Sequence, residues 1–381
     1  MTFEPADRVD RVPPSGIRRF FELAEEMDDI ISLGVGEPDF SAPWAAREAA
    51  ITSLERGRTS YTANRGKREL REKIARYERD YHDLKYDPDE EVLVTAGASE
   101  GIDLAFRALL DSGDTAAVVQ PCYVSYVPDA TFAGVDVIDV PTRATDEFKL
   151  TREALERAGA AEADALVYCY PNNPTGATMT REELGEVAAF CREHDLLVFA
   201  DEIYADLTYE HDHASIATLP GMRERTVVFN GFSKAFAMTG FRLGYAMAPP
   251  QAVEAMNRVH QYTMLSAPTT AQHAAIEALD NCREEVEAMT EQYDRRRKYV
   301  LSRFEEMGLD CFPAAGAFYA FPECPWDDAN EFAEALLQEQ RVAVVPGTAF
   351  GEGASGHLRI SYATGLEDLK EAMNRMAAFV E

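Results

Sequence analysis

Between residues 90 and 230, short apolar runs alternate with amphipathic stretches. Val92-Leu93-Val94 is followed by a helical pattern over 101–110, Ala117-Val118-Val119 by one over 123–132, and Val135-Asp136-Val137-Ile138 by one over 153–158. Ala165-Leu166-Val167-Tyr168 precedes a helical pattern over 182–193, and Leu196-Leu197-Val198-Phe199 and Thr226-Val227-Val228-Phe229 complete the series. Apolar strands separated by helices predict an α/β architecture, a mainly parallel sheet with helices on both faces. Long helical patterns then run from about 251 to 307. They are followed by Phe318-Tyr319-Ala320-Phe321, Arg341-Val342-Ala343-Val344-Val345, Leu358-Arg359-Ile360-Ser361 and a last helix with Leu366, Leu369, Met373 and Met376 on one face. These elements predict a smaller α+β domain.

Near the start, Ser15 caps an amphipathic helix presenting Ile17, Phe20, Phe21, Ala24 and Met27 on one face. It leads into the turn-rich segment 31–40. We expect a large domain over 43–280 and a small domain formed by 13–42 and 281–381. The small domain needs an opposing layer, so the N-terminal segment is expected to pack there. No internal repeat, low-complexity tract or flexible linker is present.

Charge narrows the choice of partners. The 381 residues carry a formal charge of -30, from 67 Asp and Glu against 37 Lys and Arg, and only seven of the cations are lysines. Nucleic acid and anionic membrane surfaces would be repelled, so neither is expected as a partner. Carboxylate excess also keeps a protein soluble in strong salt, which points to a halophilic source. Cys122, Cys169, Cys191, Cys282, Cys311 and Cys324 show no C-x-x-C spacing and read as buried thiols of a reducing compartment, with no metal site expected. The N-terminus has no basic and apolar leader pattern, and no apolar stretch approaches the ~20 residues of a bilayer span. A cytoplasmic enzyme is the expectation.

Ligands of open α/β sheets bind outside the carboxyl ends of the strands, and four chemistry-bearing segments stand at such ends. Thr95-Ala96-Gly97-Ala98-Ser99-Glu100-Gly101 turns a strand into a helix start, where free N–H groups can cradle phosphate, though small residues also serve tight turns. Tyr170-Pro171-Asn172-Asn173-Pro174-Thr175-Gly176 is richer in turn-formers and amides than a plain connection requires. The apolar strand over 196–200 runs into Asp201-Glu202-Ile203-Tyr204, where Asp201 is either the partner of a cationic ring nitrogen or a helix N-cap. The fourth segment, Asn230 to Gly244, holds Lys234 among small and apolar neighbours, with Ser233 and Arg242 as candidate phosphate ligands. Desolvation lowers a lysine toward the neutral, nucleophilic amine that bonding to a carbonyl cofactor requires. A phosphate cup, a lysine for a carbonyl and a carboxylate for a ring nitrogen together describe a pocket for pyridoxal phosphate. Tyr123 is a candidate to stack on its ring.

With Gly36-Glu37-Pro38-Asp39-Phe40, Asn173-Pro174-Thr175-Gly176, Asp201-Glu202-Ile203-Tyr204 and Ser233-Lys234 through Arg242 in place, the chain resembles the class I aminotransferases of the fold-type I pyridoxal-phosphate family. It is similar to the archaeal aspartate and aromatic amino-acid aminotransferases over nearly its whole length. The resemblance implies that Lys234 bonds the cofactor and moves the substrate α-proton, and that Asp201 pairs with the ring nitrogen. It implies that Asn173 and Tyr204 hydrogen-bond the ring hydroxyl while Tyr123 stacks. Ala98, Ser99, Ser233 and Arg242 would hold the phosphate, joined by Tyr61 from a second subunit of a homodimer. Arg359 would fork the substrate α-carboxylate, with Asn173 and the Gly36 backbone assisting. Gly231 stands where some relatives carry a third phosphate-binding hydroxyl.

The implied reaction is transamination between an L-amino acid, aspartate or aromatic foremost, and a 2-oxo acid such as 2-oxoglutarate. Alanine and glutamate remain open as donors, and a carbon–sulfur β-lyase is the rival chemistry. A ligand-sensing regulator would need a DNA-binding module, for which the chain has no spare segment.

Overall fold

The computed structural model describes residues 3–14, 16, 27 and 29–380. The amphipathic helix expected from Ser15 onward falls on 15 and 17–26, outside the described residues.

Among the described residues three sheets organise the molecule. The strands are β1 (Ile31–Ser32), β2 (Val92–Thr95), β3 (Thr115–Gln120), β4 (Asp136–Pro141), β5 (Ala165–Cys169), β6 (Leu197–Asp201), β7 (Thr226–Gly231), β8 (Gly244–Met247), β9 (Tyr319–Ala320), β10 (Val342–Ala343), β11 (Val345–Pro346) and β12 (Leu358–Ser361). The large sheet has the order β2-β8-β7-β6-β5-β3-β4, and all of its pairings are parallel except those made by β8. The fold-class expectation is therefore met. Strand β8 is an addition, since in the sequence Gly244–Met247 reads only as the tail of the Lys234 segment.

Both faces of this sheet are covered, which is why its strands read as continuous apolar runs. Ala116, Val118, Val167 and Phe199 point into one core with the helix Ala98–Leu109, whereas Ala117, Val119, Leu166 and Val198 join the opposite core with the helix Arg181–Glu193. Thr180 caps the latter helix in a reciprocal capping box with Glu183. Only edge strand β4 carries exposed positions, at its Asp136 and Asp139.

Parallel pairing of β1 with β10 ties the N-terminal segment to the C-terminal elements, and β11-β12-β9 forms an antiparallel sheet beside them. The run 341–345, read as one strand, is split. Arg341 takes a left-handed conformation at the end of the helix Ala329–Gln340, and Val342–Ala343 and Val345–Pro346 enter different sheets. The helical stretch from 251 to 307 is three helices, Pro250–Thr263, Thr269–Asn281 and Arg283–Met307. Among the described residues no helix is long and apolar enough to cross a membrane. All six cysteines are free thiols, four of them buried.

This topology aims the carboxyl ends of β2, β3, β5, β6 and β7, and the start of β8, to one side of the sheet. The C-terminal β12 and the segment after β1 close over that side.

Candidate active site

The strand ends surround a cavity of about 500 Å³ whose walls include Gly36, Ala98, Ser99, Tyr123, Asn173, Asp201, Tyr204, Ser233, Lys234, Arg242 and Arg359. Every site residue singled out from the sequence is there except Tyr61. That side chain lies in the 56–67 loop, 80% exposed, on another surface of its own chain.

Lys234 follows β7 through Phe232 and Ser233, so its stem leaves the buried sheet and its amine enters the cavity. Nζ donates to the Gly36 carbonyl (2.6 Å) and stands 5.7 and 5.8 Å from the Phe318 and Tyr204 ring centroids. Burial and the nearby Arg359 cation bring this ammonium down to about 8, against the pull of Glu37 and Asp201. About a tenth is then the neutral amine near pH 7, far more than for an ordinary lysine near 10.4, and the neutral amine is the state proton transfer requires.

Asp201 ends β6 with its residue only 5% exposed. A turn, not a helix, follows it, so the N-cap alternative is not what is built. Its Oδ1 accepts from the Ile203 N–H (3.1 Å) and its Oδ2 from the Tyr126 hydroxyl (2.5 Å), and among the described residues no cation is paired with it. Burial pushes its carboxyl up to about 6, with the Tyr126 and Ile203 hydrogen bonds opposing.

At the far end of the cavity the helix Ala98–Leu109 begins without a side-chain cap, leaving first-turn N–H groups for a ligand. Glycines shape this corner. A Cβ on Gly244 would stand 2.4 Å from the Ala98 nitrogen, and one on Gly97 would stand 2.9 Å from the Arg242 guanidinium. Arg242, left-handed itself at φ 52°, is held there by its donation to the Thr239 carbonyl (2.9 Å). At Gly231 a Cβ would meet Gly244 Cα at 2.9 Å, so the chain has no room for a hydroxyl-bearing side chain at that point.

Arg359, on β12, is 3% exposed. Its Nη1 donates to Asn173 Oδ1 (2.9 Å) and its Nη2 to the Gly34 carbonyl (2.5 Å), while its guanidinium carbon lies 4.7 and 4.8 Å from the Tyr319 and Phe350 ring centroids. Its Nε is buried without a partner. A buried guanidinium facing no carboxylate among its hydrogen-bond partners awaits an anion. The amide-rich turn divides its labour. Asn172 accepts from Thr175 and donates to the carbonyls of Cys169 and of Pro121 on the neighbouring strand end, while Asn173 faces the cavity.

Three cavity residues escaped the sequence reading. Tyr319 shares a hydrogen bond with Tyr204 (2.9 Å) and crowds the Gly36 backbone, Glu37 binds the Thr239 hydroxyl, and Tyr126 holds Asp201. Tyr126 lies three positions after Tyr123, a helical spacing that could have paired them.

An uncapped helix start beside an arginine, a lysine of lowered basicity, a buried carboxylate lacking a cation and a buried arginine lacking an anion fit pyridoxal 5'-phosphate and an amino-acid carboxylate. The site is that of a pyridoxal-phosphate enzyme. Comparison with known proteins gives the family: the aminotransferase class I and II model matches residues 28–376, and the chain belongs to that family. The Bacillus subtilis (strain 168) protein YugH, provisionally named an aminotransferase, is 50% identical, covering 100% of this chain and 99% of its own. The aspartate aminotransferase of Pyrococcus abyssi is 43% identical, with 97% of each chain covered. The crystal structure of an aromatic aminotransferase from Pyrococcus horikoshii superimposes with a TM-score of 0.90 at 43% identity, covering 95% of this chain and 98% of that one. The chain is a pyridoxal-phosphate-dependent aminotransferase.

Proposed function

We propose that the cavity transfers the amino group of aspartate or an aromatic amino acid to a 2-oxo acid such as 2-oxoglutarate, with each residue in the role its position supports. The observation that carries this reading is the convergence of Lys234, Asp201 and Arg359 from three separate segments on one cavity. The cofactor, when bound, supplies the carbonyl that takes up the amino group and a protonated ring that accepts the electrons freed at the substrate α-carbon. Lys234 bonds the resting cofactor and, as a free amine, carries the α-proton. Asp201 holds the ring nitrogen protonated, Tyr204 and Asn173 bond the ring hydroxyl, and Tyr123 stacks on the ring. Ala98, Ser99, Ser233 and Arg242 hold the phosphate. Arg359 forks the α-carboxylate with Asn173 and the Gly36 backbone alongside.

In this reading the enzyme is a cytoplasmic homodimer, and the partner subunit's Tyr61 completes the phosphate site. The exposure of Tyr61 (80%), Tyr262 (85%) and Trp44 (58%) supports a covered face. The domain division proposed from the sequence, 43–280 against 13–42 with 281–381, sets Gly36 and Arg359 on one side of the cavity and the cofactor residues on the other. Among the described cavity residues the cations are Lys234, Arg242 and Arg359. The cofactor carbonyl, its phosphate and the α-carboxylate occupy all three, and Glu37 adds a negative charge to the wall. That favours an aromatic side chain over a second carboxylate.

A spectral titration tests the whole reading. Lys234→Ala is expected to lose both turnover and the absorption band of the lysine-bound cofactor, and full retained activity would rule the assignment out. In the native enzyme, aromatic donors are expected to bleach that band at lower concentration than aspartate. Release of ammonia without an acceptor would instead favour the β-lyase.

A further inference from the structure

Tyr126 is fully buried at the start of the helix Tyr126–Ala133, 75 positions from the carboxylate it touches. An aromatic side chain there serves packing alone unless its hydroxyl has a task, and this hydroxyl donates to Asp201 Oδ2 at 2.5 Å, with the Cys169 thiol beside it. The same ring meets Tyr123 edge to face, with centroids 5.7 Å apart. One side chain therefore braces both the carboxylate expected to pair with the cofactor's ring nitrogen and the aromatic ring expected to stack on the cofactor. We propose that Tyr126 is a positioning residue that keeps Asp201 ionised and aimed at the cofactor's ring nitrogen. The proposal rests on the reading that Asp201 pairs with that nitrogen.

The direction of the proton is fixed by the surroundings. Burial and the adjacent Asp201 hold the Tyr126 phenol well above its ordinary range, so the phenol keeps its proton and donates it. The other groups facing Asp201 do not replace that donor. Cys169, its register partner on β5, is held neutral by burial and directs its thiol to the Pro171 carbonyl (3.2 Å). Glu202, next in sequence, is engaged by His213 (2.9 Å) and Ser215 (2.6 Å) and repels a second negative charge. Lys234 attracts Asp201 across the cavity but donates to Gly36. The Ile203 N–H occupies only Oδ1. Without the phenol, Oδ2 loses its one protein donor, and the carboxyl takes up a proton at higher pH.

Binding of pyridoxal phosphate to the cofactor-free protein, followed by fluorescence from pH 5.5 to 9, provides a readout independent of turnover. In Tyr126→Phe, which keeps the ring, the acid side of the binding profile is expected to move up by about one to two pH units. Affinity at pH 9 should match the native protein. Replacing Tyr126 alone by 3-fluorotyrosine keeps the hydroxyl and strengthens it as a donor, so the profile should move down. That second variant decides the matter if the Phe variant does not fold. With a cofactor analogue carrying carbon in place of the ring nitrogen, the upward shift should vanish. Unchanged profiles in both variants, or an equal upward shift with the analogue, would overturn the proposal. If Asp201→Asn itself binds pyridoxal phosphate with the native pH profile, it is the reading of Asp201 that fails, and the two failures remain distinct.

Discussion

Two carboxylates five positions apart, Asp201 and Asp206, are both withdrawn from water and are treated in opposite ways. Asp206, its side chain 4% exposed, accepts from the Tyr77 hydroxyl (2.7 Å) and from Arg283 (2.5 Å) and stands 3.7 Å from His82. Against the cost of burial, His82, Arg283 and Tyr77 hold its carboxyl well below the usual range. Asp201 has hydrogen bonds but no touching cation, and burial raises it to about 6. A buried charge stays charged when its surroundings neutralise it. Asp206 is neutralised from within the fold, so its role ends in stability. On the proposed reading the missing cation at Asp201 is the space left for the cofactor's ring nitrogen, and a site can be recognised by what its buried charges lack.

Exchanging each acid for its amide breaks or sharpens this contrast most directly. Asp206→Asn takes from the buried His82 and the part-buried Arg283 the carboxylate they share, though Arg283 keeps Glu287, and is expected to cost about 3–5 kcal/mol in urea unfolding of the cofactor-free protein. Asp201→Asn should leave that stability unchanged or higher at pH 7, because it removes a buried charge with no cation. Its deficit should appear instead as a roughly 10- to 150-fold weaker hold on pyridoxal phosphate, the scale of a charge-assisted hydrogen bond. Equal losses of stability in the two variants would show that Asp201 is a structural carboxylate.

The pH dependence carries the same contrast at smaller amplitude. Burial opposes protonation of His82, but Glu78 and Asp206 overcome it and raise the imidazole to about 9, with Glu202 adding to them. Its folded value exceeds the unfolded value near 6.5, so its contribution is whole below about 6.5 and is lost as pH rises through about 9. Native cofactor-free protein should therefore lose more melting temperature between pH 6.5 and 9.5 than His82→Gln does. Asp201 has the opposite sign of effect. Its raised carboxyl costs stability above about 6, and that cost fades as pH falls toward the unfolded value near 3.9. The stability gap between Asp201→Asn and the native protein should accordingly narrow below pH 6. A gap independent of pH would contradict the raised value.

What the sequence disclosed follows the same logic. Asp201 and Lys234 were legible as candidates because each stands where an apolar run ends, and it was the company of the other segments that outweighed a helix N-cap or a solvated lysine; Arg359, inside the run 358–361, was legible only through the family resemblance. Strands β5 and β7 were legible because burial on both faces leaves unbroken apolar runs. Strand β8 was not, since four residues opening on a glycine carry too little pattern, and Arg341 hides a left-handed break within an apolar run. Tyr126 and Tyr319 passed unremarked within a helical pattern and an apolar run, because their rings are core. Only their hydroxyls belong to the site, and the partners, Asp201 and Tyr204, lie 75 and 115 positions away. Asn172 and Asn173 are chemically identical in the sequence, and only the turn distinguishes the one that binds inward from the one that faces the cavity. The role proposed for Tyr61 needs a second subunit, which no pattern within one chain can display.

The smallest effect expected is that of salt, and it separates surface from interior. With a formal charge of -30, the folded chain repels itself across its surface. The screening length falls from about 10 Å at 0.1 M to about 3 Å at 1 M, which relieves repulsion between exposed carboxylates while leaving a buried pair almost untouched. Raising KCl over that range should lift the melting temperature of the native protein and of Asp206→Asn by the same few degrees, preserving the difference between them. A difference that shrinks with salt would mean that water and ions reach Asp206, and the contrast with Asp201 would then rest on hydrogen bonding alone.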